Sequence, residues 1–172
     1  MYKKKVCMVG EFSVGKTSLV QRYVHSIFSE KYLTTVGVKI DKKEVDVDGE
    51  KIQLLLWDIQ GEDAFASVPM SYLKGTSAII LVVDGTRGYT LDTAFEIKSH
   101  IDETVGDMIP CIVLFNKYDL LHQWEITEED IAAVKAGGVL TMCTSSKDCT
   151  GVEQAFEAIS RMMMGKNALA AA

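Results

Sequence analysis

Residues 78–83 read Ala-Ile-Ile-Leu-Val-Val, an apolar run with no polar break. A strand that buries one face alternates apolar and polar residues, whereas a strand covered on both faces has no need to. The run therefore predicts a central strand in a mostly parallel sheet sandwiched by helices. Cys111 to Phe115 predicts a second strand of the same kind. Elsewhere the spacing is helical: Leu19, Val20, Tyr23, Val24 and Ile27 within 16–27, Ala94, Ile97, Ile101 and Val105 within 90–105, and Val152, Phe156, Ile159 and Met163 near the end. Val6 to Val9 and Val139 to Cys143 read as short strands. Val38 to Val47 and Ile52 to Trp57 read as two more, joined by Asp48-Gly49, a strong tight-hairpin signal. Thr127 caps a short helix over 128–136 that stops at Gly137-Gly138. The order is β α β β β α β α β α, with 59–75 irregular. It predicts an α/β chain with a six-stranded, mostly parallel sheet and one antiparallel hairpin strand, helices on both faces.

Composition narrows the function. The 172 residues carry 18 Lys+Arg against 24 Asp+Glu, a net charge of −6. An acidic chain without a basic block argues against nucleic acid or anionic lipid as the main partner. It does not argue against nucleotides, since a phosphate site needs only a local cluster of donors. Cys7, Cys111, Cys143 and Cys149 are too scattered for a metal pattern and are expected to be reduced, mostly buried thiols in a cytoplasmic protein. No stretch approaches the ~18 apolar residues of a membrane span, Tyr2 rules out N-myristoylation, and no C-terminal cysteine motif for prenylation occurs, so membrane association is not evident in this chain. Residues 1–166 are expected to form one domain, with 167–172 a flexible tail. His25, His100 and His122 have no ligand spacing, and Lys39, Lys42 and Lys43 are read as a solvated strand face.

In a sheet of this type, ligands bind at the carboxyl ends of strands. After the first strand comes Gly10-Glu11-Phe12-Ser13-Val14-Gly15-Lys16-Thr17, a full match to G-x-x-x-x-G-K-[ST]. Gly10 and Gly15 permit backbone angles that turn successive N–H groups inward as an anion nest. The helix that follows aims its positive end at the same point. Lys16 reaches the β- and γ-phosphates, and the Thr17 hydroxyl takes a position on Mg2+. Ser13, Val14, Gly15, Lys16, Thr17 and Ser18 are thus candidate nucleotide contacts. The bland reading is a Gly-rich turn that only caps a helix.

Two further loops choose the base. Asn116-Lys117-Tyr118-Asp119 follows the strand ending at Phe115. A carboxylate there accepts from both N1–H and the N2 amine of guanine, whereas adenine would leave Asp119 desolvated and unpaired. Thr144-Ser145-Ser146-Lys147 follows the last strand, and its main-chain N–H groups are placed to meet the base oxygen. In Trp57-Asp58-Ile59-Gln60-Gly61, Asp58 ends a strand and can hold Mg2+ through a water, while the N–H of Gly61 can meet a γ-phosphate.

With these motifs in hand (GEFSVGKTSL, YLTTVGV, WDIQGED, SYLKGTSAIILVVDGT, FNKYDL and TSSK) residues 4–164 resemble the Ras superfamily of small GTPases and look most like its Ras/Rab-like branch. The resemblance implies a P-loop NTPase fold that binds GTP or GDP with Mg2+ and hydrolyses GTP. It implies that Thr35 binds Mg2+ by its hydroxyl and the γ-phosphate by its N–H, and that Phe28 packs edge-on against guanine. Residues 61–75 match the segment that orders around GTP and relaxes after hydrolysis. Effector, exchange-factor and GTPase-activating proteins are the implied partners. Candidate catalytic residues are Lys16, Thr35, Gly61 and Glu62; candidate metal ligands are Thr17, Thr35 and Asp58.

The departures matter as much. The family position of the water-orienting Gln holds Glu62, and Gln60 replaces a small residue. Phe12 stands where a small residue is usual. These favour slow hydrolysis, with a guanine-nucleotide-binding adaptor that hardly hydrolyses as the alternative. A P-loop nucleotide kinase fits less well, because its Arg-rich lid would have to come from Arg22, Arg87 and Arg161 alone. Glutamate accepts from water but cannot donate to a phosphoryl oxygen, and its charge opposes the γ-phosphate. Single-turnover GTP cleavage should therefore be faster in Glu62→Gln than in the unsubstituted protein. Equal rates would remove Glu62 from the mechanism.

Overall fold

A computed structural model describes residues 1–31, 33–61 and 68–170. The strands are β1 (Tyr2–Val9), β2 (Val38–Val47), β3 (Glu50–Ile59), β4 (Ala78–Asp84), β5 (Cys111–Asn116) and β6 (Leu140–Cys143). The helices are α1 (Lys16–His25), α2 (Met70–Leu73), α3 (Tyr89–Val105), α4 (Glu128–Ala136) and α5 (Val152–Met163), with a 3-10 helix at Tyr118–Gln123. The sheet order is β2-β3-β1-β4-β5-β6, parallel throughout except for the β2–β3 hairpin. This matches the six-stranded architecture expected from the apolar runs.

All seven residues of β4 are buried, as its unbroken apolar run requires. Successive side chains enter opposite layers. Met8, Leu54, Leu56, Ile80, Val82, Ile112 and Leu114 pack with Leu19, Val20 and Tyr23 of α1 and Phe156 and Ile159 of α5. Cys7, Val9, Ile79, Leu81, Val83, Val113 and Phe115 pack with Ala94, Ile97 and Ile101 of α3 and Val134 of α4. Asp48 and Gly49 both have positive φ, 54° and 86°, the geometry of a two-residue hairpin turn whose twist suits its strands. At α4 the Thr127 hydroxyl accepts from the N–H of Asp130, whose carboxylate accepts from the Thr127 N–H: a complete capping box.

Four features differ from the sequence expectation. β1 begins at Tyr2 rather than Val6, because Tyr2 to Lys5 pair with Ile52 to Leu55 of β3 whatever their side chains. Lys5 turns its polar reach to use: Nζ lies 3.6 Å from the Trp57 ring and donates to the Lys74 carbonyl. α1 ends at His25, not Ile27, since Ser26 adopts φ 56° and turns the chain out of the helix. The stretch 59–75 contains the short α2, and the Asn116–Asp119 loop continues into the 3-10 helix. Among the thiols, all free, Cys7 and Cys111 are buried, Cys143 is half-buried and Cys149 is exposed. Among the described residues no helix is long and apolar enough to cross a membrane.

One contact carries much of the α1–α5 layer. The rings of Tyr23 and Phe156 stack with centroids 3.9 Å apart, and Phe156 is fully buried. Phe156→Ala removes that contact and leaves a cavity, so urea titration should show a loss of about 3–5 kcal/mol. A loss below about 1 kcal/mol would contradict this packing.

Candidate functional site

The sheet order reverses direction around β1, with β3 on one side and β4 on the other. A crevice outside the carboxyl edge is expected at such a switch point. A cleft of about 220 Å³ opens there. Its walls come from Phe12, Ser13, Gly15, Lys16, Thr17 and Ser18, from 28–31, Leu33 and Thr35, from Asp58, Ile59 and Gly61, and from the loops after β5 and β6.

The phosphate-loop end is shaped by close backbone approaches. A Cβ at Gly10 would lie 2.4 Å from the Val82 carbonyl oxygen, and one at Gly15 would lie 2.3 Å from Asn116 Nδ2. Both glycines have φ in the range that favours glycine, and Ser13 between them also has positive φ, 69°. Lys16 is buried, and its Nζ donates to the carbonyls of Gly10 (3.0 Å) and Glu11 (2.9 Å). The ammonium is thereby curled over the loop it belongs to. Val14 lies behind this wall, fully buried; its carbonyl accepts from Asn116 Nδ2 at 3.0 Å.

Beside Lys16, three side chains from three segments converge. The Thr17 hydroxyl donates to Asp58 Oδ2 at 2.6 Å, the Thr35 hydroxyl donates to the same oxygen at 3.1 Å, and the two hydroxyls lie 2.7 Å apart. Asp58 is 1% exposed, and its Oδ1 has no hydrogen-bond partner among the described residues. Burial pushes the Asp58 carboxyl above its ordinary value, against the pull of Thr17, Lys16 and Thr35. Two hydroxyls and a carboxylate with an unsatisfied oxygen form a hard-oxygen donor set suited to Mg2+, which keeps waters and takes few protein ligands. No cluster of three or more His, Cys, Asp or Glu occurs among the described residues.

At the other end, Asn116 is spent on bracing. Besides reaching Val14, it accepts from the Thr144 hydroxyl at 3.1 Å, tying the phosphate loop to the loop after β6. Lys117, at φ 66°, lines the cleft while its Nζ pairs with Asp84 at 2.7 Å. Asp119 lines the cleft, and its Oδ1 accepts from the Ser145 hydroxyl at 2.7 Å. The expectation for the N–H groups of 144–147 needs narrowing. Those of Thr144 and Ser145 donate to the Phe115 and Thr150 carbonyls, because this loop must close against β5 and its own return. Ser146 and Lys147 line the cleft, whereas the Ser145 hydroxyl donates to Asp119. Phe28 lines the same end.

Some contacts around the site could not be read from the motifs. The buried Asp84 accepts from Lys117, from Arg87 Nε at 2.9 Å and from Thr86, and Arg87 Nη2 reaches the Phe12 carbonyl at 2.8 Å. One carboxylate thus links the base loop to the phosphate loop. In the sequence Asp84 closes a wholly apolar strand within the SYLKGTSAIILVVDGT motif, but nothing there tells its partners. Phe12 stands 47% exposed at the rim, its main chain held by Arg87. Gly61 packs on that main chain, where a Cβ would lie 2.5 Å from Phe12 Cα. Gln60 clasps Gly37 at both main-chain groups, through its N–H (2.7 Å) and its Oε1 (3.0 Å). Glu62 lies outside the described residues.

The Ras family model matches residues 5–165. The chain is 34% identical over 160 residues to the Ras-related protein RABD2a of Arabidopsis thaliana, covering 92% of this chain and 79% of that protein. It is 33% identical over 174 residues to the Ypt/Rab-type GTPase YPT7 of Saccharomyces cerevisiae, covering 95% and 82% respectively. To the Ras-related protein Rab-32C of Dictyostelium discoideum it is 34% identical over 163 residues, covering 93% and 73%.

The Asp84 network makes a pH-dependent contribution. Burial pushes the Asp84 carboxyl up, but hydrogen bonds from Lys117, Thr86 and Arg87 outweigh it and leave the group below the usual carboxylate range. A depressed folded-state pKa stabilises above the unfolded value and is lost as pH falls through the folded one. Asp84→Asn should therefore cost about 2 kcal/mol at pH 7, the partners being half-exposed, and the difference should close below about pH 4. A gap between the two denaturation curves that persists unchanged at pH 3 would contradict the assignment.

Proposed function

The chain belongs to the Ras family and is a small GTPase of the Rab-like branch, and on that premise we propose that its cleft holds GTP with Mg2+ and cleaves it slowly to GDP and phosphate. The observation that carries this reading is the meeting of Thr17, Thr35 and Asp58 beside Lys16, in a cleft whose far end presents Asp119. A phosphate grip, a hard-oxygen corner and a carboxylate for a purine edge lie in one crevice.

Each residue has a part in the proposal. Lys16 releases the Gly10 and Glu11 carbonyls and sets its charge against the β- and γ-phosphates, while N–H groups of residues 13–18 line the phosphate chain. Thr17, Thr35 and Asp58 would hold the metal, which when bound would supply positive charge against the charge that develops on the phosphates. The Thr35 and Gly61 N–H groups donate to the γ-phosphoryl oxygens. Glu62 accepts a hydrogen bond from the attacking water, whose oxygen bonds to the γ-phosphorus as the bond to the β–γ bridging oxygen breaks; GDP leaves with that oxygen and the water's proton passes to an oxygen of the phosphate formed. At the base, Asp119 accepts from N1–H and the N2 amine, the Ser146 and Lys147 N–H groups meet O6, and Phe28 and the Lys117 stem flank the ring. Thr35 and Gly61 meet the γ-phosphate only in the GTP state, so the segments that carry them report nucleotide state to effectors.

Exchange-factor and activating proteins act on family members, and residues 1–166 are taken as the unit they would meet. With four free thiols, a reducing, cytoplasmic setting suits the chain. The exposed Phe12 ring at the γ-phosphate end favours the second reading, an adaptor that binds guanine nucleotide and scarcely hydrolyses it. GTP that stays intact over hours with Mg2+ would select that reading.

The nucleotide that co-purifies, identified by mass spectrometry, is expected to be GDP or GTP. Asp119→Asn turns an acceptor into a donor and should transfer preference from guanine to xanthine nucleotides, by a hundredfold or more (about 3 kcal/mol). Unchanged GTP preference in that variant would refute the base-site assignment.

A further inference from the structure

We propose that Arg22 is a positioning residue for base selection: it sets the wall that reads the purine oxygen from the side of α1. The proposal rests on the guanine-nucleotide reading above and deepens it. Arg22 lies on the helix that opens with Lys16 and Thr17. Its Nε donates to the Ser146 carbonyl at 2.6 Å, and its Nη2 donates to the Lys147 carbonyl at 3.0 Å. A planar guanidinium fork so placed fixes two consecutive peptide units at once. In a trans peptide the C=O of one residue and the N–H of the next point in opposite directions. Drawing the Ser146 carbonyl toward α1 therefore turns the Lys147 N–H away from α1, and Lys147 lines the cleft.

The same guanidinium stands 5.9 Å from the centre of the Phe28 ring, within cation–π range, so it also borders the opposite wall of the base slot. The other tie across that slot, Lys147 to Glu30 at 3.2 Å, joins two exposed side chains and contributes little. Nothing in the G-x-x-x-x-G-K-[ST] pattern reaches as far as residue 22. One rigid helix thus carries the phosphate groups at its start and aligns the base loop farther along.

Edited nucleotides separate this role from a merely structural one. GDP, 6-thio-GDP (O6 replaced by a weaker acceptor) and IDP (no N2 amine) are competed against a fluorescent GDP analogue on the full chain, with Mg2+. The unsubstituted protein should prefer GDP over both. In Arg22→Ala the preference over 6-thio-GDP should shrink about fivefold, while the preference over IDP, which reports on Asp119, should hold. Uniformly weaker binding with both preferences intact would overturn the proposal, and so would no change. If Arg22→Ala does not fold by circular dichroism, Arg22→Lys, able to reach one carbonyl at a time, should show a partial loss of the 6-thio preference; a full preference there would also overturn it. Failure of the guanine reading itself would look different: the unsubstituted protein would bind none of the three.

Discussion

The burial of Asp58 is the constraint around which this structure turns. A carboxylate taken out of water without a cationic partner at hydrogen-bond distance is costly unless other groups answer it. Here Thr17 and Thr35 share one oxygen, and the other has no hydrogen-bond partner among the described residues. The three residues come from the start of α1, the segment before β2, and the end of β3, so a single charge gathers three parts of the chain. An unsatisfied carboxylate oxygen beside two hydroxyls is a donor set that a hard cation would fit.

That corner can exist only on a rigid platform. β4, β5 and the second half of β1 are buried, and β4 and β5 end in register at Asp84 and Asn116, so the loops that follow start from a fixed edge. Polar side chains then lock the loops to one another: Asn116 joins the phosphate loop to the loop after β6, Asp84 joins Lys117 to Arg87 and through it to Phe12, and Arg22 joins α1 to Ser146 and Lys147. Buried networks of this kind give precision when every member is satisfied. The more yielding part of the site is the approach of Gly37, Gln60 and Gly61, held by main-chain contacts and one amide. Gln60, an unusual side chain at its position, extends the β2–β3 pairing by a further residue and ties the two sides of the cleft mouth.

The chemistry of the site was readable wherever local pattern and local function coincide. Gly10 to Thr17 folds its own anion nest, and Asp58 and Asp119 end or follow buried strands, so their place at the sheet edge follows from the apolar runs alone. The same runs specified the sheet, and Asp48-Gly49 its one hairpin. Asn116 shows the boundary of such reasoning: it lines the cleft, and only the structure shows that its amide also bonds Val14 and Thr144. Ser145 is similar, its N–H given to Thr150 and its hydroxyl to Asp119.

What residue order by itself determined, then, was the fold class, the strand edge that carries the cleft, and the identity of most residues that line it. Those depend on periodicity and on chemistry a few residues wide. Only the tertiary structure decided which polar side chains face the cleft and which hold its walls; it drew in Arg87 and Arg22, which no motif names, and gave Asp84, which sits inside one, its bracing partners. Their partners lie up to 125 residues away along the chain, and a hydrogen bond across that distance has no periodicity to betray it. It is decided by which strand lies beside which, and by how a dry interior compels each buried polar atom to find a partner.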